Sequence, residues 1–284
     1  MPELPEVETV VRTLRPRLVG KTVANVDLLR PDIGRSVEKD LATRLGSRTV
    51  TDITRRGKKI LIRLDDGAVC VHLGMTGRLT IDPHDAPPPP HTHMIWRLQD
   101  ATGKPLDDQL RFRDPRRFGG VWWLTSCADA EQNLGPEPLL IRPARLAQKL
   151  ARTRRPIKPA LLDQRLLAGL GNIYVDEALH EAKIHPLSLT CDLRPEQVAA
   201  LTRAIKLILR RAIRHRGSTL RDYVDADGQK GGFQSLHRVY DRAGHPCPRC
   251  KTPIERIVLG GRSTHFCPRC QRAVKARKTK IMKE

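Results

Sequence analysis

Long apolar runs are missing from this sequence: none approaches the about 20 residues that a membrane-spanning helix needs. The first residues, MPELPEVETV, also lack the basic start and the apolar stretch of a secretory signal. Aromatic residues make up only 4% of the chain, and 31 acidic side chains stand against 52 lysines and arginines. These absences predict a cytoplasmic protein without a membrane segment. The shortage of acids leaves a net charge of +21, which favours a polyanionic partner.

The positive charge is concentrated in the second half of the chain. Residues 1–150 contain 24 basic and 19 acidic side chains, whereas residues 151–284 contain 28 and 12. With 284 residues, the chain is long enough for two domains and a small appendage. We therefore expect the contact with the polyanion to lie mainly in the C-terminal half.

The spacing of apolar residues changes twice along the chain. It is helical over residues 5–18, which predicts an amphipathic helix. Short β-rich runs such as KILIRL and AVCVHL follow, typical of an antiparallel sandwich, and the tract Pro87–Pro90 must be a loop. From about Ala144 the spacing is helical again, with a Gly-rich break at 169–172 that predicts a helix, a turn and a helix. Residues 217–233, rich in Gly and Asp, predict a further loop.

Four of the seven cysteines form two C-x2-C pairs separated by sixteen residues, namely Cys247, Cys250, Cys267 and Cys270. Two such knuckles can place four thiolates tetrahedrally around Zn²⁺, and a short appendage with little core of its own needs this cross-link. Four protein ligands leave no open coordination position, so we predict one structural zinc ion. The other three are expected to be buried thiols in a reducing compartment, namely Cys70, Cys127 and Cys191.

Three further motifs each have a structural and a functional interpretation. The segment RFRDPRRFGG at 111–120 is either a surface hairpin with a core anchor or a wedge, in which an aromatic enters a base step beside an arginine. Met75 in HLGMTG is either a core residue or an exposed, unbranched plug. Gly171-Asn172 is either a helix cap or part of a phosphate-binding helix N-terminus.

The opening MPELPEVE, by itself, indicates only a helix whose first turn is capped by proline and acids. With RRGKK, HLGMTG, DPRRFG, IKP…GLGNIY and the two C-x2-C pairs, however, it occurs in an order that strongly resembles bacterial formamidopyrimidine-DNA glycosylases. The resemblance runs from Pro2 to about Gln271. Leu4, together with the Met, Arg and Phe of the later motifs, favours this family over the related endonuclease VIII glycosylases.

The resemblance implies an α+β multidomain fold. It comprises an N-terminal β-sandwich led by a helix (1–135), a helix-two-turn-helix domain (136–240), a C-terminal zinc finger (241–275) and a basic tail (276–284). It also implies that a monomer binds damaged double-stranded DNA in a basic cleft between these parts. The stretch Gln99–Gln109 departs from the family as a longer hairpin before the wedge motif.

The resemblance also implies a catalytic mechanism. Once Met1 is removed, Pro2 presents a secondary amine, which in this family attacks C1′ of the damaged nucleotide and expels the base. The iminium that forms is an electron sink, so it acidifies the C2′ proton and permits elimination of the 3′ phosphate. By the matching motifs, Glu3 is the proton donor and acceptor, Glu6 a supporting carboxylate, Lys58 the residue assigned to β-elimination and Arg262 that assigned to δ-elimination and phosphate binding. The adjacent Lys59 has no such assignment.

The remaining matching positions bind DNA in the family. Met75, Arg116 and Phe118 correspond to the residues that fill the gap left by the extruded nucleotide, with Arg116 facing the orphaned cytosine. The substrates implied are 8-oxoguanine and formamidopyrimidines, with strand cleavage by β,δ-elimination. The positions that match contacts to DNA or to the flipped base are His72, His91, Arg154, Lys158 and Asn172.

Two alternatives stay open on the sequence alone. A non-enzymatic zinc-ribbon DNA-binding protein would explain the charge and the cysteines, but it leaves the PELPE start unexplained. An endonuclease VIII-like enzyme would prefer oxidised pyrimidines. The loop at 217–233 governs base choice in the family, and its residues do not rank the lesions.

Overall fold

A computed structural model describes residues 2–30 and 40–272 of the chain. Met1, the predicted basic tail at 276–284 and the last residues predicted for the zinc finger lie outside the described residues. The helices are α1 (Leu4–Leu18), α2 (Leu41–Leu45), α3 (Pro143–Ala151), α4 (Ile157–Leu162), α5 (Asn172–Glu181) and α6 (Pro195–Arg214). The strands are β1 (Thr22–Leu28), β2 (Val50–Arg56), β3 (Lys59–Leu64), β4 (Ala68–His72), β5 (Arg78–Pro83), β6 (Thr92–Gln99), β7 (Pro105–Arg113), β8 (Gly120–Leu124), β9 (Glu255–Leu259) and β10 (Arg262–Phe266).

The N-terminal part consists of two four-stranded sheets, with strand orders β1-β6-β7-β5 and β2-β3-β4-β8 and antiparallel pairing throughout. Apolar side chains of both sheets form one core, to which α1 contributes Val7, Val10 and Leu14. Antiparallel strands with one face buried explain the short alternating runs in the sequence. The predicted sandwich led by a helix is confirmed, whereas the domain boundaries at 135 and 240 stay predictions.

Two loops of the sandwich can be understood from their local sequence. The stretch Gln99–Gln109 is a tight hairpin, in which Asp100 Oδ1 accepts hydrogen bonds from Thr102 N at 2.9 Å and Lys104 N at 3.0 Å. Bonds from the Thr102 side chain and backbone lower the pKa of Asp100. The proline tract Pro87–Pro90 is an exposed loop between β5 and β6, as predicted.

The second part is helical, and its core is separate from that of the sandwich. Apolar faces of α3, α4, α5 and α6 form this second core. Leu4, at the start of α1, is fully buried in it, although the rest of α1 packs in the sandwich core. Helix α1 therefore joins the two cores. The Gly-rich break predicted at 169–172 is confirmed, because α5 begins at Asn172.

The C-terminal part is a β9–β10 hairpin beside the four clustered cysteines. Of the three cysteines outside the cluster, Cys70 is buried as predicted and Cys127 is half-buried. Cys191 is exposed, so its predicted burial is wrong. It lies in a short 3₁₀ turn before α6 in which only Thr190 is buried, and the nearby Leu189 is 39% exposed as well.

Because Leu4 fills the helical core from a helix of the sandwich, Leu4→Ala should lower the free energy of unfolding by about 2–5 kcal/mol. The matched control is Leu140→Ala, since Leu140 is 78% exposed and its truncation should change stability by less than about 0.5 kcal/mol. Denaturant unfolding followed by circular dichroism measures both. Equal stability of the two variants would contradict the joint role of α1.

Candidate active site

The buried carboxylate of Glu3 lies at the N-terminus of α5. Its Oε2 accepts a hydrogen bond from Gly171 N at 2.7 Å, and its Oε1 accepts one from Ile173 N at 2.9 Å. Amides in the first turn of a helix have no partner within the helix, so a carboxylate there satisfies them and opposes the helix dipole. A side chain at position 171 would prevent this contact, because its Cβ would lie 2.3 Å from Glu3 Cδ.

Burial raises the pKa of Glu3 to about 7, although the charge of Lys58 opposes the shift. The negative charge of Glu6 raises it further, and the amides of α5 lower it. Burial also lowers the pKa of Lys58, although the negative charges of Glu3 and Glu6 oppose this shift. A carboxyl group with a pKa near 7 can both donate and accept a proton at neutral pH.

Glu6 lies one turn further along α1, and both of its carboxylate oxygens are paired. Oε2 accepts from Glu3 N at 2.8 Å, while Oε1 accepts from Ser218 N at 2.7 Å and from the Tyr174 hydroxyl. Burial raises the pKa of Glu6 as well. A Cβ at Gly217 would lie 2.5 Å from Glu6 Oε1, and the φ of +76° at this residue also favours glycine. Glu6 therefore fixes the start of α1 against α5 and the loop that follows α6.

Pro2 and Glu3 border adjoining parts of one cleft between the sandwich, the helices and the finger hairpin. The part beside Pro2 has a volume of about 450 Å³ and the part beside Glu3 about 530 Å³. Met75, Leu220 and Tyr240 line both parts. Of the residues predicted for the site, the cleft brings together Pro2, Glu3, Glu6, Lys58, His72, Met75, Arg116, Asn172 and Arg262.

The turn between β2 and β3 carries Lys58 into the cleft, whereas Lys59 extends elsewhere. Lys59 Nζ donates to the Ala130 carbonyl at 3.1 Å and lies 5.8 Å from the centroid of the Trp122 ring. Lys59 is the first residue of β3 and its side chain follows the sheet toward Ala130, whereas Lys58 belongs to the turn itself and lines the cleft. The family motif assigns a role to Lys58 and none to Lys59, and the different directions of the two side chains agree with that assignment.

Glu137 anchors this turn from the connection to the helices. Its Oε1 accepts from Gly57 N at 2.7 Å, and its two oxygens pair with Arg55 at 2.8 Å and with Arg56 at 3.0 Å. Burial by itself would raise the pKa of Glu137, but the bonds and charge of Arg55 outweigh burial and lower it. The backbone beside Lys58 is therefore fixed by a paired carboxylate.

The finger hairpin contacts the start of α5 through the carbonyl of Ser263. This oxygen accepts from Asn172 Nδ2 at 2.9 Å and from Lys158 Nζ at 2.7 Å. The neighbouring Arg262 is exposed and lines the cleft. Asn172 is thus a bridge between α5 and the finger, in addition to its position at the helix start.

Lys158 is fully buried, with Nζ 2.6 Å from Asp176 Oδ1. Asp176 Oδ2 accepts from His265 N at 2.9 Å, so the pair joins α4, α5 and β10. Burial lowers the pKa of Lys158, while the charge of Asp176 opposes this shift. The contact with DNA predicted for Lys158 stays a prediction, since the side chain has no exposed surface in this arrangement.

Met75, Arg116 and Phe118 lie on two neighbouring turns at the mouth of the cleft. Met75 is 38% exposed and Phe118 57% exposed, so neither is a core residue. The guanidinium of Arg116 lies 4.8 Å from the centroid of the Phe118 ring. Asp114 joins the two turns, because its oxygens accept from Thr76 Oγ1 at 2.6 Å and Gly119 N at 2.7 Å. The exposed plug and wedge are therefore favoured over the core interpretation.

The other predicted DNA-binding residues lie in different surroundings. His72 is half-buried in the cleft, and burial lowers its pKa, as do the charges of Lys58 and Lys59. His91 is exposed in a separate concavity, and Arg154 is exposed between α3 and α4. Within the described parts of the chain, neither of these two borders the cleft.

The four clustered thiols fit a tetrahedral zinc site. Cys250 Sγ lies 3.4 Å from Cys267 Sγ and 3.5 Å from Cys270 Sγ, and Cys247 Sγ lies 4.0 Å from Cys270 Sγ. Zinc–sulfur bonds of about 2.3 Å in a tetrahedron imply sulfur–sulfur distances of about 3.8 Å. All four ligand atoms lie within 4.8 Å of one another, so the finger can bind one zinc ion.

Sequence reasoning missed several residues that shape the site, namely Tyr174, Asp176, Ser218 and Tyr240. Their partners are far away in sequence: Ser218 N bonds to Glu6 across 212 positions. One signal was available in the helix segment YVDEALHE, which is apolar enough for a buried helix yet contains Asp176, Glu177 and His180, all three of which are buried. Buried polar side chains need partners, which predicts a hydrogen-bond network around α5.

Within the described residues, no helix is long and apolar enough to cross a membrane. Three family models match the chain: the formamidopyrimidine-DNA glycosylase N-terminal domain over residues 1–121, the H2TH domain of that family over residues 134–224, and a zinc finger found in FPG and IleRS over residues 244–273. Together they span the sandwich, the helices and the finger.

Relatives and solved structures agree with these matches. Formamidopyrimidine-DNA glycosylase from Desulforamulus reducens is 45% identical over 282 residues, covering 96% of this chain and 100% of the relative. That from Gluconobacter oxydans is 48% identical over 276 residues, covering 93% and 97%. A complex of Lactococcus lactis Fpg with abasic-site DNA has a TM-score of 0.87 at 37% identity, covering 95% of this chain and 100% of that one. The chain belongs to the formamidopyrimidine-DNA glycosylase family.

Proposed function

We propose that the protein excises oxidised purines, 8-oxoguanine and formamidopyrimidines, from double-stranded DNA and then cleaves the strand at the abasic site. The observation that carries this proposal is the position of Pro2 and Glu3 in one cleft, where burial raises the pKa of Glu3 to about 7. Solved relatives support it, since their complexes contain DNA with Fapy-dG, with carbocyclic 8-oxo-G or with an abasic site. The proposed partner is damaged duplex DNA in the bacterial cytoplasm, bound by a monomer.

In the first step, the amine of Pro2, free once Met1 is removed, attacks C1′ of the extruded nucleotide. The bond from nitrogen to C1′ forms while the bond from C1′ to the base breaks, and Glu3 in its neutral form protonates the departing base. The bond from C1′ to O4′ then breaks and the sugar ring opens, while the proton lost by the proline nitrogen goes to O4′, which leaves an iminium at C1′ and a hydroxyl at C4′. The amides of Gly171 and Ile173 then stabilise the Glu3 carboxylate that the step produces.

In the second step, the iminium accepts the electrons released when the C2′ proton is removed and the 3′ phosphate leaves. Lys58 carries the proton transfer of this β-elimination, since its pKa is lowered by burial and it borders the cleft beside Glu3. Arg262, at the exposed end of the finger hairpin, binds the phosphate and completes δ-elimination. Zinc takes no part in the chemistry, because all four ligands are thiolates.

The two alternative functions, a zinc-ribbon DNA-binding protein and an endonuclease VIII-like enzyme, explain fewer of the observations. A zinc-ribbon binding protein corresponds only to residues 244–273, whereas the family matches extend over the sandwich and the helices. An endonuclease VIII-like preference for oxidised pyrimidines would not use the pair of Arg116 and Phe118 at the mouth of the cleft. We therefore retain purine excision as the proposed reaction.

The nucleophile is tested by borohydride trapping on a lesion-bearing duplex, followed by peptide mapping. DNA should be attached to Pro2, and attachment to Lys58 would refute the assignment.

Glu3→Gln should keep DNA binding but reduce single-turnover base excision by about 10²–10⁴-fold, because it removes proton transfer and no phosphate contact. The neutral, proton-donating form of Glu3 decreases as pH rises through about 7, so the wild-type excision rate should fall on that side. A rate that stays constant up to pH 9 would exclude Glu3 as the acid.

The zinc site should be structural and should position Arg262. We expect about one zinc ion per chain, and chelation should abolish binding to damaged duplex while the sandwich stays folded. Cys247→Ser should have the same effect, whereas the control Cys191→Ser should retain zinc, since Cys191 is exposed and outside the cluster. Metal analysis, circular dichroism and gel-shift titration measure these outcomes. Normal binding by metal-free protein would contradict the role.

Arg116 should read the base opposite the lesion. The orphaned cytosine offers O2 and N3 as acceptors to the donor-only guanidinium, whereas adenine presents a donor at N6. The mismatch should cost about 1–3 kcal/mol, so 8-oxoguanine opposite cytosine should be excised roughly ten- to a hundredfold faster than opposite adenine. Arg116→Ala should bring this ratio close to one.

The control for Arg116 is Met75→Ala, which should slow excision from both duplexes equally, because a plug fills space without reading the base. Single-turnover rates on the two duplexes measure the ratio for each variant. An unchanged ratio in Arg116→Ala, or equal wild-type rates, would show that Arg116 does not read the orphaned base.

A further inference from the structure

The last three turns of α6 carry five cations and no acid on their outward face, and the one acid of the helix, Glu196, lies in its first turn. Arg203, Arg210 and Arg214 are exposed along one row, and Lys206 and Arg211 flank the row half-buried. At 1.5 Å per residue and 100° between successive residues, the three arginines span about 16 Å along the helix within a sector of about 40°. We refer to these five residues as the α6 basic face.

The exposed arginines of helix α1, by contrast, are paired with acids. On α1, Arg12 pairs with Glu8 at 2.8 Å, Arg15 with Asp52 at 2.7 Å, and Arg17 with an aspartate at 2.6 Å. Across residues 2–30 and 40–272, by contrast, no ion pair involves the α6 basic face. Like charges three or four positions apart destabilise a helix, so this face is unfavourable until an anion covers it.

The α6 basic face lies outside the catalytic cleft. None of its five residues borders the cleft among the described residues. The opposite, apolar face of α6 is buried in the helical core, where Leu201, Ile205 and Ile208 lie. The basic face can therefore bind a partner while the cleft is occupied.

We propose that the α6 basic face binds the phosphate backbone of a second DNA segment. A line of phosphates complements this row, because the charges of the row are all positive and extend for about 16 Å. This length corresponds to several nucleotides of a DNA strand. A membrane surface fits less well, since the face has one exposed apolar residue, Leu207, and interfacial helices insert a continuous apolar side. The contacts are made to phosphates alone, so the site does not select a sequence.

This second site gives the protein a route between DNA segments. When the α6 basic face contacts a new duplex before the cleft releases the old one, transfer occurs without free protein. The dissociation rate from a first duplex then rises with the concentration of a competing duplex. Simple dissociation, by contrast, does not depend on the competitor.

The test uses the full-length, zinc-loaded protein on a labelled, undamaged duplex, so that it does not depend on the proposed excision. The triple variant Arg203→Gln, Arg210→Gln, Arg214→Gln keeps good helix formers in place. Wild-type dissociation, followed by stopped-flow fluorescence, should accelerate in proportion to unlabelled competitor duplex, and the variant should lose this dependence. Its affinity for a second duplex should fall by about 100-fold at 0.1 M salt, with a salt slope smaller by about 2–3.

The matched control is Arg12→Gln, Arg15→Gln, Arg17→Gln, which removes the same charge from exposed positions of α1 and should keep the competitor dependence. Single-turnover excision on a short damaged duplex should be unchanged in the α6 variant, which separates failure of this proposal from failure of the catalytic one. A wild-type rate independent of competitor, or equal loss in both variants, overturns the proposal. So does stronger competition for the α6 basic face by anionic vesicles or polyglutamate than by duplex DNA of equal charge.

Discussion

This structure depends on one contact, in which the carboxylate of Glu3 accepts hydrogen bonds from the backbone amides at the start of α5. It joins two separate hydrophobic cores, because α1 packs mainly in the sandwich and α5 in the helical part. The same bond puts the chain start, with Pro2, at the cleft. Burying the carboxylate is costly, and its raised pKa expresses that cost. The group that fixes the geometry is thus also the group whose proton is near balance at neutral pH.

Similar contacts recur around the cleft: a carboxylate accepts hydrogen bonds from one or more backbone N–H groups, and in some cases from side chains too, and so fixes a loop. Glu137 binds the turn beside Lys58, and Asp114 joins the turns of Met75 and Phe118. Glu177 accepts from the amides of residues 238–240, which fixes Tyr240 in the wall of the cleft. These loops become rigid although they contain no helix or strand, because their N–H groups gain a charged acceptor. Rigid turns can then present exposed side chains to a large ligand.

Among the described residues, cations near the cleft and on α6 illustrate three different physical roles. Lys158 is fully buried and compensated by Asp176, so it joins secondary-structure elements. Arg55 and Arg56 pair with carboxylates and stiffen a turn. Arg116, Arg262 and the three arginines in the row of the α6 basic face are exposed, and for these positions phosphates are the natural counter-charge. Net charge alone indicates a polyanionic partner but does not separate these groups.

By itself the sequence determined the class of the fold and the zinc ligands, and it predicted Pro2 and Glu3 as catalytic residues. Strand and helix periods are local, C-x2-C spacing is local, and ordered motifs identify a family without coordinates. Only the tertiary structure decided that Lys58 enters the cleft, that Lys158 is buried, that Cys191 is exposed and that Tyr174 and Ser218 bind Glu6. Each of these depends on which face of an element meets another element far away in sequence. Burial and hydrogen bonding are properties of such meetings, so the residues that make them carry little local signal beyond the polar side chains within the α5 segment.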